Sequence, residues 1–262
     1  MRLTKHHGSG NDFLVLLESD ATTPVTPALA RAVCDRHRGI GADGLLHASP
    51  SASADVTMVL YNADGGRAEM SGNGISCLAQ AVVLAGIVPA GVVTVATDAG
   101  LRRVELVAGE PGEHLATVDM GAAKVGEDEV EWLDDDVMRA ARVDVGNPHV
   151  VLHAPLLDRD FDFEARGVSI NELVPEGINV ELVAPGPQDG ELTMRVYERG
   201  VGLTEACGTG ACAVAAAAYQ WGLCDTRVTV RQPGGPAVIE LGESITMTVP
   251  VVHIATIDYH AA

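Results

Sequence analysis

Basic residues are scarce in this chain of 262 residues, and their scarcity argues against two classes of partner. Lysine and arginine together number 17 against 36 aspartates and glutamates, so the formal net charge at pH 7 is −19. No basic cluster interrupts this excess of negative charge, which would repel nucleic acids and anionic membrane surfaces. We therefore expect no nucleic-acid partner and no membrane partner, and we attribute the charge itself to solubility.

Long apolar runs and a cysteine framework are also missing. No window approaches the roughly 20 apolar residues that a membrane-spanning helix needs. The opening residues Met1 to His7 contain no apolar stretch of signal-peptide length. The five cysteines are odd in number and lack the spacing of a disulfide framework, which fits a reducing compartment. These absences predict a cytoplasmic location.

Motifs for metals and nucleotides fail as well. Cys207 and Cys212 have no partner set of histidines or cysteines that would complete a zinc site, so we expect no metal. The run from Gly39 to Gly44 has the glycine spacing of a dinucleotide site, but it follows a helical pattern rather than a strand. The sequence therefore predicts no cofactor.

The chain does contain an internal repeat, whose two copies are separated by a constant number of residues. We call this separation, which is the distance in sequence from Tyr61 to Tyr197, the repeat offset. The identical pairs include Tyr61/Tyr197, Gly66/Gly202, Glu69/Glu205, Gly72/Gly208, Gly74/Gly210, Ala79/Ala215, Ala81/Ala217 and Gly86/Gly222. The register holds without drift from residue 10 to residue 222, which is hard to obtain by chance. Because two repeats of this length are too few for a solenoid, they indicate a duplicated domain whose similar halves face each other across a site.

Short strand-like runs bounded by turn residues dominate both halves, and helical patterns are fewer. Strands are predicted at residues 13–17, 56–61, 92–96, 101–106, 150–153, 192–197, 228–231 and 244–249. Helices are predicted at residues 27–37, 73–85 and 209–221. The second and third helices are apolar nearly all round, so each should be buried. Gly86 and Gly222 should end them in the left-handed conformation.

These elements predict an α+β fold of two pseudo-symmetric, duplicated domains. Each domain is expected to be a strand-rich, barrel-like unit around a buried helix, with the active site in the cleft between the two. We place the domains at residues 1–118 and 119–262, because the segment from 118 to 137 is rich in acids and free of core pattern. The last strand is allowed to return to the first domain.

Cys207 is the strongest candidate for a catalytic residue. It follows a strand and a turn, and a buried helix begins directly after it. The free N–H groups of a first helical turn favour an anion such as a carboxylate, and Gly208 and Gly210 let a ligand approach the backbone. The same positive helix end is expected to lower the pKa of the thiol. The alternative, a buried structural cysteine, is the one we assign to Cys34, Cys77, Cys212 and Cys224.

Ser71 occupies the equivalent position in the first copy. Residues 71–74 read Ser-Gly-Asn-Gly where residues 207–210 read Cys-Gly-Thr-Gly. Duplication then implies a helix end and a reactive side chain on each side of one ligand. Racemisation needs such an arrangement, because one group removes the α-proton while an opposed group delivers a proton from behind. The helix ends would hold the α-carboxylate and stabilise the developing charge, and no cofactor is required.

The two copies differ beside this motif. Asn62 and Ala63 stand in the first copy where Glu198 and Arg199 stand in the second. Arg199 can clamp a carboxylate bidentately and Glu198 can pair with an ammonium, so a second amino-acid head group suits this side. A surface salt bridge in a turn is the alternative. His149 is a lone histidine that would, by itself, more often be structural.

Seven stretches resemble the diaminopimelate epimerase family, the cofactor-independent amino-acid isomerases of lysine and peptidoglycan-precursor synthesis. They are residues 7–13 (HGSGNDF), 35–45 (DRHRGIGADGL), 62–65 (NADG), 72–74 (GNG), 146–149 (GNPH), 197–200 (YERG) and 207–212 (CGTGAC). The resemblance covers nearly the whole chain. It implies two pseudo-symmetric domains, a homodimer, independence from pyridoxal phosphate, and interconversion of LL-diaminopimelate and meso-diaminopimelate by two-base proton transfer at the α-carbon.

The resemblance also implies roles for individual residues. Cys207 matches one of the two catalytic cysteines of the family, and Ser71 stands at the position of the other. Backbone amides for the reacting carboxylate would come from Gly72, Asn73, Gly208 and Thr209. The substrate, mainly its non-reacting end, would be held by Asn11, Asn62, Asn147, Asn179, Glu198 and Arg199. His149 and Glu198 match residues that tune the catalytic pair.

Two departures from the family pattern bear on activity. The family usually has cysteine at the position of Ser71 and arginine at the position of Ser76. Three functions therefore stay open: a diaminopimelate epimerase, a related racemase or isomerase acting on another amino acid, and a catalytically weak amino-acid-binding homologue. Only an assay separates the enzyme from the binding protein.

Overall fold

In a computed structural model, the described part of the chain comprises residues 1–128, 132–134, 136–154 and 162–260 and contains four α-helices and 17 strands. The helices are α1 (Pro27–Cys34), α2 (Gly72–Leu84), α3 (Phe163–Leu173) and α4 (Gly208–Gln220), with a 3-10 turn at Glu18–Asp20. The first strands are β1 (Arg2–Gly8), β2 (Asn11–Leu17), β3 (Gly44–Pro50), β4 (Val56–Asn62), β5 (Arg67–Ala68), β6 (Val92–Thr97), β7 (Gly100–Ala108) and β8 (Glu113–Gly121). The later strands are β9 (Lys124–Asp128), β10 (Arg139–Asp144), β11 (Pro148–His153), β12 (Asn179–Pro185), β13 (Glu191–Glu198), β14 (Gly202–Thr204), β15 (Arg227–Gln232), β16 (Gly235–Glu240) and β17 (Ile245–Asp258).

The chain forms two compact units. Unit 1 comprises Met1–Asp119 and Thr248–Ala262, and unit 2 comprises Met120–Met247. Strand β17 therefore has its first residues in unit 2 and the remainder in unit 1. Of the acidic segment predicted to connect the domains, residues 129–131 and 135 lie outside the described residues.

Unit 1 contains a closed ring of eight strands. Neighbours in the ring are β1–β2, β2–β3, β3–β4, β4–β6, β6–β7 and β7–β8, and β17 closes it by pairing with both β8 and β1. Two of these pairings, β2–β3 and β4–β6, are parallel. Parallel neighbours need a crossover, which α1 provides for the first pair and α2 for the second.

Helix α2 lies within this ring. Its residues 72–82 are all buried, and it contacts β1, β2, β3, β4, β6 and β7. Two of the polar residues that it buries are fully bonded: Ser76 donates to the carbonyl of Gly72 at 2.9 Å, and Oε1 of Gln80 lies 2.7 Å from Nδ1 of His6. The side-chain oxygen of Asn73 has no hydrogen-bond partner among the described residues. Gly86 follows with a φ of +70° and ends the helix in the left-handed conformation, as predicted.

Unit 2 repeats the plan. Strands β11–β12 and β13–β15 are parallel, β10–β11, β12–β13 and β15–β16 are antiparallel, and β9 pairs with β10. Helix α3 crosses over between the first parallel pair and α4 between the second. All of residues 208–218 in α4 are buried, against β9 to β13, β15 and β16. The prediction of two strand-rich, barrel-like units, each around a buried helix, is confirmed.

The register of the repeat slips by a single position in β12. Val15 and Val151 are equivalent at the repeat offset. Val15 pairs with Leu46 and Val151 pairs with Glu181, but the repeat offset would carry Leu46 onto Leu182. The drift-free register expected from the sequence is therefore wrong at this strand, and Glu181 stands in the place of Leu46.

Helix α1 ends at Cys34, three residues before the predicted end at residue 37. The carboxylate of Asp35 accepts hydrogen bonds from the backbone N–H groups of His37 and Arg38, at 2.7 and 2.8 Å. This local turn competes with continuation of the helix. The proline start at Pro27 is confirmed, with Thr26 capping the first turn.

Several elements were not predicted from the sequence. They are helix α3 and strands β1, β3, β5, β8, β9, β10, β12, β14 and β16. Helix α3 buries only Phe163, Gly167 and Ile170, so its apolar stripe is weak. Among the described residues, no helix combines the length and the apolarity needed to cross a membrane.

Candidate active site

Cys207 is the N-cap residue of α4 in unit 2. Its sulfur accepts a hydrogen bond from the backbone N–H of Gly210 at 3.4 Å and lies 3.4 Å from the hydroxyl of Thr209. Its own N–H donates to the side-chain oxygen of Gln232 at 2.7 Å. Only 7% of the residue is exposed. The sulfur is therefore fixed at the mouth of the helix, next to the free N–H groups of the first turn.

The expectation that the helix end lowers the pKa of Cys207 is wrong. Burial raises the pKa of this thiol well above its usual range, and the carboxylates of Glu198 and Glu181 raise it further, since all three disfavour the thiolate. Hydrogen bonds from Thr209 and Gly210 lower the pKa, but by less. Without a ligand, the side chain of Cys207 is therefore a neutral thiol.

A chain of polar side chains runs from Cys207 into the interior of unit 2. The amide nitrogen of Asn147 donates to the hydroxyl of Thr209 at 3.3 Å, and its oxygen lies 2.9 Å from Nε2 of His149. The Nδ1 atom of His149 lies 2.7 Å from Oε1 of Glu181, and both of these side chains are fully buried. We call these five residues the Cys207 cluster.

Glu181 is the member of the cluster that sequence reasoning missed. It lies in a buried, mostly apolar stretch of β12, residues 179–184, and its second carboxylate oxygen has no hydrogen-bond partner among the described residues. Its first oxygen lies 2.7 Å from the point that a Cβ on Gly210 would occupy, so glycine is required there. A lone acid inside an apolar strand pattern was the available signal, since a buried charge needs a partner.

Three further predicted residues of unit 2 lie at the ends of β12 and β13. The side-chain oxygen of Asn179 accepts a hydrogen bond from the backbone N–H of Arg199 at 2.9 Å, and its nitrogen donates to the carbonyl of Pro148 at 3.0 Å. Glu198 accepts a hydrogen bond from the hydroxyl of Thr204 at 2.5 Å. Arg199 is exposed, so its guanidinium is accessible to a carboxylate ligand.

Ser71 caps α2 in unit 1 in the same way as Cys207 caps α4. Its hydroxyl oxygen accepts a hydrogen bond from the backbone N–H of Gly74 at 3.0 Å. Its backbone angles, φ −141° and ψ 127°, are close to the −133° and 116° of Cys207. Gly72 and Asn73 are buried in the first turn. The two capping side chains thus hold equivalent places on equivalent helices.

The polar groups beside Ser71 form a different chain. The amide nitrogen of Asn73 lies 3.5 Å from the side-chain oxygen of Asn11, whose own nitrogen donates to Asp43 at 2.7 Å. Asp43 in turn accepts a hydrogen bond from Arg36 at 2.8 Å. We call Ser71, Asn73, Asn11 and Asp43 the Ser71 cluster. Its charged end is the Asp43–Arg36 ion pair rather than a buried acid and imidazole.

Apolar side chains of unit 1 replace the buried pair of unit 2. Leu46 lies 3.4 Å from the position of a Cβ on Gly74, which corresponds to the place of Glu181. Phe13 stands at the position of His149 at the repeat offset, and it is buried as well. Of these two equivalent places, only the one in the second half carries the acid–imidazole pair.

Asn62 is the remaining predicted residue of unit 1. It ends β4 and is half-buried, and its backbone N–H donates to the carbonyl of Gly66 at 2.8 Å. Its counterpart at the repeat offset, Glu198, ends β13. Asn11 and Asn73 are thus linked beside the start of α2, while Asn147 and Thr209 are linked beside Cys207 at the start of α4. Asn62 and Glu198 occupy equivalent strand ends.

The other four cysteines resemble Cys207 in having raised thiol pKa values. Burial raises the pKa of Cys34 and Cys212 to about 12 and that of Cys224 to about 11, and it raises the pKa of Cys77 as well. These thiols are free rather than paired in disulfides. Within the described part of the chain, no group of three or more His, Cys, Asp and Glu side chains is placed to hold a metal ion.

Comparison with known proteins identifies relatives over most of the chain. The family model described as diaminopimelate epimerase matches residues 3–126 and 141–253. The diaminopimelate epimerase of Sphingopyxis alaskensis is 42% identical over 258 residues, which cover 94% of this chain and 92% of the relative. The diaminopimelate epimerase of Desulforudis audaxviator is 41% identical over 256 residues, which cover 92% of this chain and 91% of the relative.

A solved structure supports the fold independently. A probable proline racemase from Agrobacterium radiobacter K84 superposes with a TM-score of 0.78 at 17% identity, over 100% of this chain and 93% of that chain. At this identity the likeness concerns the fold alone. The sequence comparisons carry the assignment further, because the family model matches both halves of the duplication, including the segments that contain residues 71–74 and 207–210. The chain belongs to the diaminopimelate epimerase family.

Proposed function

We propose that this protein is an epimerase that interconverts LL-diaminopimelate and meso-diaminopimelate without pyridoxal phosphate. The observation that supports the proposal is the pair of equivalent helix caps, Cys207 and Ser71, each beside the free N–H groups of a buried helix. Membership of the family supplies the substrate, since the relatives matched over most of the chain are named for it.

The reacting end of the substrate binds to backbone groups. The N–H groups of Gly72 and Asn73 in unit 1, and of Gly208 and Thr209 in unit 2, belong to first helical turns and favour the α-carboxylate. Their positive field also stabilises the negative charge that develops when the α-proton leaves. The binding of this end needs no charged side chain.

The non-reacting end binds to side chains. Arg199 pairs with the distal carboxylate through two parallel hydrogen bonds, and Glu198 pairs with the distal ammonium. Amide side chains complete the recognition of the substrate: Asn11, Asn62, Asn147 and Asn179. An amino acid without a second head group would not engage Arg199 and Glu198 and would bind more weakly.

Proton transfer then inverts the α-carbon. When substrate binds, the thiol of Cys207 loses its proton to water. The resulting thiolate takes the α-proton, so that the C–H bond breaks and its electron pair stays on carbon. The hydroxyl of Ser71 donates its proton to the opposite face, and a new C–H bond forms with inverted configuration. A substrate ammonium near Cys207 opposes the effect of Glu198 and Glu181 on the thiol, so that substrate binding favours the thiolate.

The wider setting follows from the family. An isomerase of this family serves lysine biosynthesis, and we propose a cytoplasmic homodimer acting on a free amino acid. Size-exclusion chromatography with light scattering tests the dimer directly. A monomeric, active enzyme would contradict that part of the proposal and leave the reaction untouched.

The decisive experiment is incubation of the protein with LL-diaminopimelate in heavy water, followed by proton NMR and chiral chromatography. We expect meso-diaminopimelate to form with deuterium at the inverted carbon. The α-proton on the Cys207 face should exchange faster than the centre inverts, because Ser71 is the weaker partner. Binding of LL-diaminopimelate with neither exchange nor inversion would contradict the proposal.

A binding protein without turnover is the second candidate, and Ser71 is the observation that favours it. A serine hydroxyl does not ionise near neutral pH, and a helix end shifts a pKa by too little to change this.

A racemase acting on another amino acid is tested in the same experiment with amino acids that lack the distal head group. If such an amino acid is inverted faster than diaminopimelate, then that amino acid and not diaminopimelate is the substrate.

A further inference from the structure

We propose that Glu181 is a positioning residue of this reaction: it holds a proton on His149, so that the chain through Asn147 and Thr209 delivers its last hydrogen bond to the sulfur of Cys207. The proposal rests on the proposed function for its catalytic consequence. Its structural part concerns the Cys207 cluster alone and is tested without substrate.

The directions of the hydrogen bonds in the cluster follow from the orientation of Asn147. Its nitrogen donates to Thr209, so its oxygen must accept, and Nε2 of His149 carries the hydrogen that it accepts. The hydroxyl oxygen of Thr209 is then occupied as an acceptor. The hydroxyl hydrogen is free to point at the sulfur 3.4 Å away. Every donor in the chain is aimed toward Cys207.

Glu181 is what permits this direction. With a hydrogen on Nε2, the contact of 2.7 Å between Nδ1 of His149 and Oε1 of Glu181 needs a second proton shared by the two groups. Both side chains are fully buried, and an imidazolium in such a place needs an anion beside it. Glu181 supplies that anion inside an apolar strand.

Unit 1 shows what a buried histidine does without an acid. Nδ1 of His6 lies 2.7 Å from the amide oxygen of Gln80, and the ring is fully buried like that of His149. Burial, together with the nearby charge of His253, lowers the pKa of His6 from 6.5 to about 4, even though the hydrogen bond with Gln80 opposes the shift. His6 is therefore neutral near pH 7. An amide at position 181 would leave the buried ring of His149 without an anionic partner, as the ring of His6 is beside Gln80.

A neutral His149 would reverse the donor and acceptor roles along the chain of hydrogen bonds from Glu181 to Cys207. Its single hydrogen would stay on Nδ1 and donate to the amide at position 181, and Nε2 would become an acceptor. Asn147 would turn its nitrogen toward Nε2 and its oxygen toward Thr209. The hydroxyl of Thr209 would then donate to Asn147 and no longer to Cys207. The thiolate would lose one of its two donors.

Two carboxylates face the Cys207 thiol, Glu198 from β13 and Glu181 from β12, while the neutral Gln232 contacts its backbone from β15. A plain charge effect therefore makes the opposite prediction. Removal of a negative charge near the thiol would favour the thiolate and lower the pKa of Cys207. The sign of the change separates the two explanations.

The first experiment compares wild type with Glu181→Gln. The pH dependence of iodoacetamide alkylation is measured at Cys207 by mass spectrometry, so that the other four cysteines do not interfere. We expect the midpoint of this alkylation profile to rise by about one pH unit, because the loss of one hydrogen bond to a charged group changes a pKa by about that much. We also expect kcat to fall about tenfold while KM changes by less than about threefold.

Two variants serve as comparison. Glu191→Gln removes another carboxylate of unit 2, one that is bonded to Arg231, and should leave the midpoint unchanged. Glu181→Asp keeps the anion at a shorter reach and should return the midpoint at least halfway to the wild-type value. An unchanged midpoint in Glu181→Gln would make Glu181 purely structural, and a lower midpoint would make it a plain negative charge. Either result overturns the proposal.

The second experiment uses the wild-type protein and does not depend on a variant that folds. Nitrogen-15 NMR of the imidazole rings at pH 7 should show His149 protonated on both nitrogens and His6 on one, each assigned by substitution. A singly protonated His149 would refute the role of Glu181. Failure of the protein to epimerise LL-diaminopimelate would refute the proposed function instead, because neither the ring protonation nor the alkylation midpoint involves the substrate.

Discussion

The two helix caps share a backbone but differ in the residues that stand behind them. Cys207 and Ser71 have nearly the same φ and ψ, and each accepts a hydrogen bond from the N–H three residues on. Behind Cys207 the polar chain ends in the buried pair His149 and Glu181. At the corresponding places behind Ser71 the chain has apolar side chains, Phe13 and Leu46.

The difference teaches which part of a duplicated site can diverge. An anion site at a helix N-terminus is made of backbone groups, so both copies keep it whatever their side chains become. The acid and base are side chains, and each copy can change its own. The ionisation of a thiol responds to the groups around it, whereas a serine hydroxyl offers no ionisation near neutral pH to adjust. The elaborate polar support is found behind the thiol.

The largest effect on turnover is expected when Cys207 is replaced by serine, so that both helix caps are hydroxyls. Cys207→Ser should lower kcat for LL-diaminopimelate by roughly 10²–10⁴-fold, the usual contribution of a general acid–base group. Cys212→Ser is the matched control, because its counterpart at the repeat offset is already serine, Ser76. Steady-state kinetics of both variants provide the measurement. Retained turnover in Cys207→Ser would remove the thiol from the mechanism.

The second prediction contrasts the two buried histidines. The pKa of His6 falls from 6.5 to about 4 on folding, chiefly because of burial, so the unfolded chain binds this proton first as the pH drops. Stability is then fully present above pH 6.5 and is lost between pH 6.5 and about 4. The loss should reach about 3 kcal/mol in the free energy of unfolding. Urea unfolding across this range measures it.

A variant separates His6 from the carboxylates. His6→Gln should flatten the stability profile between pH 6.5 and 4. Hydrogen bonds from Arg36 and Lys5 outweigh burial and lower the pKa of Asp12, so its contribution disappears only below the usual value of 3.8. An equally steep loss between pH 6.5 and 4 in His6→Gln would assign that loss to other groups.

A thiol on both caps should make the enzyme faster. Ser71→Cys should raise kcat/KM about tenfold or more, because a thiol is a usable base near neutral pH where a hydroxyl is not. The gain should appear in both directions, since the equilibrium constant between the isomers is near unity and no enzyme changes it. Ser53→Cys adds a thiol at an exposed position of unit 1 and should leave the rate unchanged. A Ser71→Cys enzyme that is no better would show that Ser71 is specially activated or suited to another substrate.

The smallest effect concerns the asymmetric end of the site. Arg199→Lys keeps the charge but loses the planar fork, so kcat/KM should fall by about tenfold, as expected for one lost charge-assisted hydrogen bond. Arg227→Lys changes a surface ion pair with Glu240 in the same unit and should have no effect. Wild-type kinetics in Arg199→Lys would exclude this residue from substrate binding.

Most of the architecture could be predicted from the chain, because a duplication records the same structural solution twice. The buried helices α2 and α4 were identified because their sequences are apolar nearly all round, and each begins one residue before its predicted start. Helix α3 was missed because its apolar stripe is too short. Strand β1 was missed because Lys5, His6 and His7 hide its alternation.

Repetition, glycine placement and residue type by themselves determined the duplicated fold, the two helix N-termini and the capping positions of Ser71 and Cys207. These properties are local or periodic, so they can be recognised in the amino-acid sequence alone. Only the tertiary structure decided the electrostatics. Burial reversed the expected shift in the pKa of Cys207, and the slip of register in β12 brought Glu181 against Gly210 and His149. Desolvation and long-range pairing depend on which distant segments meet, and no local pattern records that.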